Sequence, residues 1–178
     1  MSAHLANPGD ILLVRTNHFV SKLIRFGQRG YGKSAAQWNH VAIYIGNGEI
    51  VEALTTGITR GFASKYPSSD VRVISPIPKI YGAHVPFHDT ERMSIIDNAL
   101  RANAANFAES CVGEKYGFLT ILAIAIKTLT KGKIDFNLQG TNICSGLAAR
   151  SLERMGYNFN PYDPAELTPA YLDTVLLA

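Results

Sequence analysis

Cysteine is scarce in this chain. Only Cys111 and Cys144 occur among its 178 residues, in dissimilar surroundings, so a disulfide framework is excluded and free thiols are expected. Long apolar runs are missing as well. The greasiest stretch, Phe118 to Ile126, falls far short of the roughly 20 residues that span a bilayer. The opening MSAHLANPGD has neither a basic n-region nor an apolar h-region, so no secretory signal is expected and synthesis in the cytoplasm is. Acidic side chains are absent from Ile11 to Gly48, a span that holds Arg15, Lys22, Arg25, Arg29 and Lys33. The expectation for residues 15–33 is a solvated helix face and loop, with peripheral contact to a membrane or cell wall as the functional alternative. A net charge of +3 is too small to imply a nucleic-acid partner. Repeats and low-complexity segments are also missing, and the length suits a single domain, 1–178.

What is present is punctuated clearly. Asn7-Pro8-Gly9-Asp10 is a turn leading into Ile11-Leu12-Leu13-Val14, an apolar run that predicts a buried strand. Asn17 to Phe26 has helical spacing, and GQRGYGKSAAQ after it predicts a loop. Trp38 to Leu54, WNHVAIYIGNGEIVEAL, predicts a β-hairpin, with His40 at its start and Glu52 on the return strand. The turn chemistry allows two registers. A two-residue loop at Asn47-Gly48 sets Ile43 opposite Glu52 and puts His40 and Glu52 on opposite faces. A three-residue loop, Gly46-Asn47-Gly48 with Gly48 left-handed in a G1 bulge, sets Ala42 opposite Glu52 and makes His40 its diagonal neighbour, about 7–8 Å away across the strands and within reach of long side chains. The three-residue loop is the expectation. With the other register, Asn39, Asp10 or a backbone carbonyl would be left to orient His40.

Thr55 to Ser69 reads as a loop, and Val71, Val73 and Ile74 as a further strand stopped by Pro76 and Pro78. His84 and His88 have zinc-pair spacing, but Pro86 between them forbids a regular helix, so no metal site is expected. Glu91 to Cys111 predicts a long helix with Ile96, Ala99, Leu100, Ala104, Phe107, Ala108 and Cys111 on its apolar stripe. On that stripe Cys111 needs no explanation beyond packing. Tyr116 to Leu129 is apolar nearly all round, which predicts a buried helix or, alternatively, a wall for an acyl chain.

Cys144 stands in a different setting. Thr141 or Asn142 caps a helix whose stripe is Ile143, Leu147, Ala148, Leu152 and Met155, ended by Gly156. In the first turn of a helix the positive end of the dipole stabilises a thiolate, and free backbone N–H groups can receive an oxyanion. Ser145-Gly146 keep the approach narrow. From this segment alone, a nucleophile and a buried cysteine that follows a cap are equally good readings.

The segments PGDILLV (8–14), HVAIYIGNGEIVEA (40–53), GEKYGF (113–118), NICSGLAARSLERMGY (142–157) and ELTPAYL (166–172) together resemble the circularly permuted NlpC/P60 superfamily. These are papain-like cysteine hydrolases of the YiiX/YaeF-like and lecithin:retinol acyltransferase-like groups, in which the histidine strand precedes the cysteine helix. The resemblance implies an α+β fold, a small antiparallel sheet packed against a nucleophile-bearing helix. It implies Cys144 as nucleophile, His40 as base and Glu52 as the residue that orients the imidazole, with no cofactor or metal. It also implies a peptide or acyl-amide substrate, most simply an amide bond of a peptidoglycan-type peptide. Acyl transfer or thioester cleavage, and a non-catalytic binding module of the same fold, are the alternatives. Wall-active members usually carry an export signal or a wall-binding domain. This sequence shows neither, and a protein delivered by a phage or a non-classical secretion route would fit, as would a cytoplasmic amidase.

Overall fold

The computed structural model describes residues 6–17, 19–76, 90–115, 144–164 and 167–177. Five strands are present: β1 (Ile11–Val14), β2 (His40–Gly46), β3 (Glu49–Leu54), β4 (Gly57–Phe62) and β5 (Val71–Ile74). They form one antiparallel sheet in the order β4-β3-β2-β1-β5. Among the described residues four helices accompany it: α1 (Phe19–Gly27), α2 (Thr90–Ser110), α3 (Cys144–Glu153) and α4 (Pro169–Leu177). The protein is thus α+β, with an antiparallel sheet and helices packed on it.

Alternation along the strands sorts side chains between two cores. Ile11, Leu13, Val41, Ile43, Val51 and Ala53 join Ala104 and Ala108 of α2 and Leu147, Ala148 and Leu152 of α3 in the larger one. Leu12, Val14, Ala42, Tyr44 and Ile50 form the smaller core on the other face, partly covered by Ala63, Tyr66 and Val71. β1 is buried at all four positions because both its faces are covered, which explains its unbroken apolar run.

The hairpin has the register expected of it, but through a different device. Ala42 pairs with Glu52 and Tyr44 with Ile50, yet Gly46 pairs with Glu49, so the turn itself is the two residues Asn47-Gly48. Both have positive φ, 53° and 80°, as a type I′ turn requires. A bulge between Tyr44 and Gly46 supplies the extra residue and shifts the register by one. Gly46, at φ 107°, takes a conformation that a side chain would strain.

Two expectations need correction. The segment read as a loop from Thr55 to Ser69 contains β4, paired along its length with β3, followed by 3-10 turns at Ala63–Lys65 and Ser68–Asp70. Ile58 is the one large apolar residue that β4 buries, so the segment shows almost no binary pattern. Its outer edge is covered instead by backbone, with Ile58 N–H donating to the Glu114 carbonyl and Gly113 N–H to the Ile58 carbonyl, both at 2.9 Å. The α2 stripe is also shorter than expected: Ile96 and Ala99 are exposed, whereas Ala104, Ala105, Ala108 and Cys111 are buried. Between these stretches Arg101 turns inward. It donates to Asp10 Oδ1 at 2.5 Å and to Ser75 Oγ at 2.5 Å.

Asp10 is itself tied into the turn before β1, where its other carboxylate oxygen accepts the Asn7 N–H at 2.8 Å. Its side chain is 2 % exposed and that of Arg101 is 9 % exposed, so neither charge can turn to water if the other is lost. Arg101→Ala is expected to lower stability by about 3–5 kcal/mol, the usual cost of stranding a buried charge. Urea denaturation monitored by circular dichroism checks this, and a loss under about 1 kcal/mol would show that the pair is dispensable.

Candidate active site

His40 is the first residue of β2, held in place by what precedes it. Asn39 is buried and its side chain closes a double link to residue 16, accepting the Thr16 N–H at 3.1 Å and donating to the Thr16 carbonyl at 3.0 Å. Gln28, also buried, donates to the Trp38 carbonyl at 2.9 Å and accepts the Ala170 N–H at 2.8 Å, joining the end of α1 and the start of α4 to the same point. The segment expected to be a plain loop after α1 therefore begins with a structural bridge. Asn39 and Asp10, the alternative partners for His40, are both engaged elsewhere.

The register puts Glu52 on the face that His40 shares. Nε2 of His40 lies 2.7 Å from Oε2 of Glu52. Cys144, the first residue of α3, lies beside the same imidazole, near enough for its side chain to raise the His40 pKa. The three residues predicted from the sequence are thus brought together, from one hairpin and from a helix a hundred residues later. Cys144 is 4 % exposed, the His40 side chain 13 % and that of Glu52 0 %, so all three side chains are almost withdrawn from water.

Two further residues meet Glu52 that the sequence reading missed. Lys65 donates its ammonium to Oε1, and Tyr66 donates its hydroxyl to Oε2 at 2.6 Å. Both follow β4, in the stretch read as loop. The 3-10 turn Ala63–Lys65 is pinned to the hairpin tip by the Ala63 N–H, which donates to the Gly48 carbonyl at 2.8 Å. No local signal marks Lys65 and Tyr66. Reading 57–62 as an edge strand beside β3 would have been the route to them.

The electrostatics follow from these contacts. Burial by itself would push the His40 pKa down, but the hydrogen bonds to Cys144 and Glu52 and their negative charges overcome it and raise it from 6.5 to about 9. Burial would push Glu52 up, yet the hydrogen bonds from His40, Lys65 and Tyr66 hold it at about 2. Tyr66 is raised, by burial first and then by its bond to ionised Glu52. At neutral pH the site therefore holds an imidazolium between a carboxylate and the cysteine sulfur. The other cysteine, Cys111, is buried at the end of α2, and its thiol is pushed up by desolvation and by nearby Glu114.

Ser145 Oγ donates to the Leu167 carbonyl at 2.5 Å, tying the start of α3 to the residues before α4. Leu147, Ala148, Leu152 and Met155 are buried as expected, and Gly156 has φ 92° where the helix has ended. Thr141, Asn142 and Ile143, the acyl-wall segment 116–129, and His84 and His88 lie outside the described residues. Among the described residues no three His, Cys, Asp or Glu side chains converge as metal ligands, and no helix is long and apolar enough to cross a membrane. In the basic segment Arg15 pairs with Asp70 at 2.6 Å and Arg25 donates to the Thr16 carbonyl at 3.0 Å. Those two cations are therefore committed to the fold, while Lys22, Arg29 and Lys33 are exposed.

Two outcomes are expected from this geometry. Brief iodoacetamide treatment of the native protein at pH 6, followed by peptide mass mapping, should label Cys144 and spare Cys111, and equal labelling would count against a thiolate–imidazolium pair. The second concerns stability against pH. Glu52 is depressed from 4.5 to about 2, so the stability it contributes is present above pH 4.5 and lost as pH falls through about 2. His40 is raised from 6.5 to about 9, so its contribution is full below pH 6.5 and lost as pH rises through about 9. The stability gap between wild type and Glu52→Gln, followed by thermal melts, should therefore shrink from pH 4.5 downward, and a constant gap would contradict the ionised carboxylate. No known family model matches the chain and no curated protein is significantly similar to it, so its chemistry rests on the geometry of this site.

Proposed function

We propose that the protein is a cysteine hydrolase that cleaves an amide bond, in a peptidoglycan-type peptide, through Cys144, His40 and Glu52. One observation carries the reading: a largely buried imidazole lies 2.7 Å from a fully buried carboxylate and beside a cysteine at a helix start. In this chemistry the Cys144 thiolate attacks the carbonyl carbon, and backbone N–H groups in the first turn of α3, which lack intrahelical acceptors, receive the oxyanion. The His40 imidazolium gives its proton to the departing amine, leaving a thioester on Cys144. Neutral His40 then takes a proton from water, the hydroxide adds to the thioester, and the acid product leaves as the thiolate is restored. Glu52 holds the ring by Nε2 throughout, which leaves Nδ1 for the sulfur. The order of histidine strand before cysteine helix, shared with the permuted NlpC/P60 enzymes, supports the same reading.

A specific feature favours a second reading, acyl or thioester substrates. A cavity of about 770 Å³ lies on the smaller-core face of the sheet, lined among others by Leu12, Tyr44, Ala63, Tyr66, Val71 and Val73. It reaches Tyr66, which touches Glu52, but Cys144 does not line it, so amide cleavage in a peptide is preferred.

A panel of muropeptides against acyl-amides and thioesters separates the two readings. Turnover confined to muropeptides supports the first, and turnover confined to long-chain acyl compounds overturns it in favour of the second. On whichever substrate is cleaved, Cys144→Ala should abolish turnover and His40→Ala should lower kcat by about a hundredfold or more with the fold intact. Glu52→Gln should lower it less, because the amide oxygen still accepts from the ring while the charge is lost. A folded His40→Ala protein with near wild-type rate would remove His40 from the mechanism, and turnover absent from the entire panel would favour a binding module.

A further inference from the structure

Glu52 is the most buried charged group of the site, and in the proposed reaction its neighbour changes charge twice. When His40 gives up its proton, the imidazolium that balances the carboxylate disappears. A carboxylate with 0 % exposure and no cation beside it is expensive, so it would oppose the loss of the imidazolium proton. Tyr66 cannot prevent this, since its hydroxyl is a neutral donor.

Resting on the reading of His40 as the catalytic base, we propose that Lys65 is a positioning residue for the reaction: a permanent counterion that keeps Glu52 ionised while His40 cycles between imidazolium and imidazole. The geometry is specific. Lys65 takes Oε1 of Glu52 while His40 and Tyr66 share Oε2, so the two cations occupy separate oxygens and do not compete. Gly61 of β4 flanks the pair, its Cβ position 3.5 Å, an ordinary contact distance, from both Lys65 Nζ and Glu52 Oε1. The Lys65 side chain is 39 % exposed, so its charge stays hydrated and costs little to keep, whereas its partner is fully buried.

Other charges are accounted for on each neighbouring element. Cys144 of α3 faces His40. Arg60 of β4 turns to Glu49 and Glu109, Arg101 of α2 is paired with Asp10 just before β1, and Arg72 of β5 with Asp173 of α4. Among the described residues, then, Lys65 is the cation that meets Glu52 from outside the Cys144–His40 pair.

The test is a pH titration that a merely structural lysine would not move. Removing a positive charge from beside Glu52 makes the field at His40 more negative, which favours the protonated ring. In full-length Lys65→Met and Lys65→Gln, the His40 ring, followed by NMR, should titrate about half a pH unit to one pH unit higher than in wild type. Lys65→Arg should titrate as wild type does. On a cleaved substrate the neutral variants should lose kcat near neutral pH with little change in KM, and Lys65→Arg should restore it. Unchanged or lowered His40 titration in both neutral variants, with wild-type circular dichroism, would overturn the proposal; so would a Lys65→Arg protein that behaves like Lys65→Met. Should either neutral variant fail to fold, the other and Lys65→Arg still decide the outcome. Iodoacetamide labelling of the wild type keeps the two ideas apart. Unselective labelling there strikes at the thiolate reading itself, whereas selective labelling with an unmoved His40 titration strikes at Lys65 alone.

Discussion

A carboxylate removed from water governs this structure. Glu52 has 0 % side-chain exposure and would destabilise the fold if left alone, yet it accepts hydrogen bonds from an imidazole, an ammonium and a phenol. Those donors come from three places in the chain: the start of β2, the 3-10 turn after β4, and the residue just beyond that turn. Satisfying one buried charge thus welds the hairpin to the segment that follows it. It also orients His40, so the demand that stabilises the sheet is the same one that aims the imidazole at Cys144.

That arrangement depends on one extra residue. Without the bulge between Tyr44 and Gly46, the Asn47-Gly48 turn would set Ile43 against Glu52, placing the carboxylate on the face of the larger core. There it would meet Val41, Leu147 and Ala148 rather than Lys65 and Tyr66. The bulge therefore decides on which side of the sheet a charge is buried. Contacts from the turn before β1 hold it in place: the Gly9 N–H donates to the Tyr44 carbonyl at 2.8 Å and the Tyr44 N–H to the Asp10 carbonyl at 2.9 Å, while within the hairpin the Gly48 N–H donates to the Tyr44 hydroxyl at 2.8 Å.

Around the site, buried polar residues take the place of continuous secondary structure. Asn39, Gln28 and Arg101 each link segments distant in sequence through side-chain hydrogen bonds to backbone or carboxylate. Such links are directional, and a buried polar group left without its partner is costly, so they hold neighbouring segments in one relative position. The larger core, by contrast, is made of aliphatic side chains from β1, β2, β3, α2 and α3, which supply stabilisation without direction.

Much of this was legible in the residues themselves. The unbroken run Ile11–Val14, the alternation beyond His40, the Asn47-Gly48 turn and the stripe of Leu147, Ala148 and Leu152 each state their element locally, because strand and helix periods are local properties. Cys144 at a helix start, His40 at a strand start and Glu52 on the return strand stood out as candidates too, and the family resemblance joined them into one set. β4 was not, since an edge strand that buries one large apolar residue carries almost no pattern and owes its existence to pairing with β3. The inward turn of Arg101 on a helix that read as apolar was decided by Asp10, ninety-one residues away. Lys65 and Tyr66 were hidden for the same reason: their roles follow from a buried carboxylate they meet in space, while next to them in sequence stands only a stretch rich in Gly and Ser. Local sequence determined which segments could form, which register the hairpin favours and where the candidate groups stand on them. Tertiary structure alone decided the bulge that delivers that register, buttressed by the Gly9 N–H on the Tyr44 carbonyl, and the cation that balances Glu52, because both involve contacts between segments that the chain order does not place together.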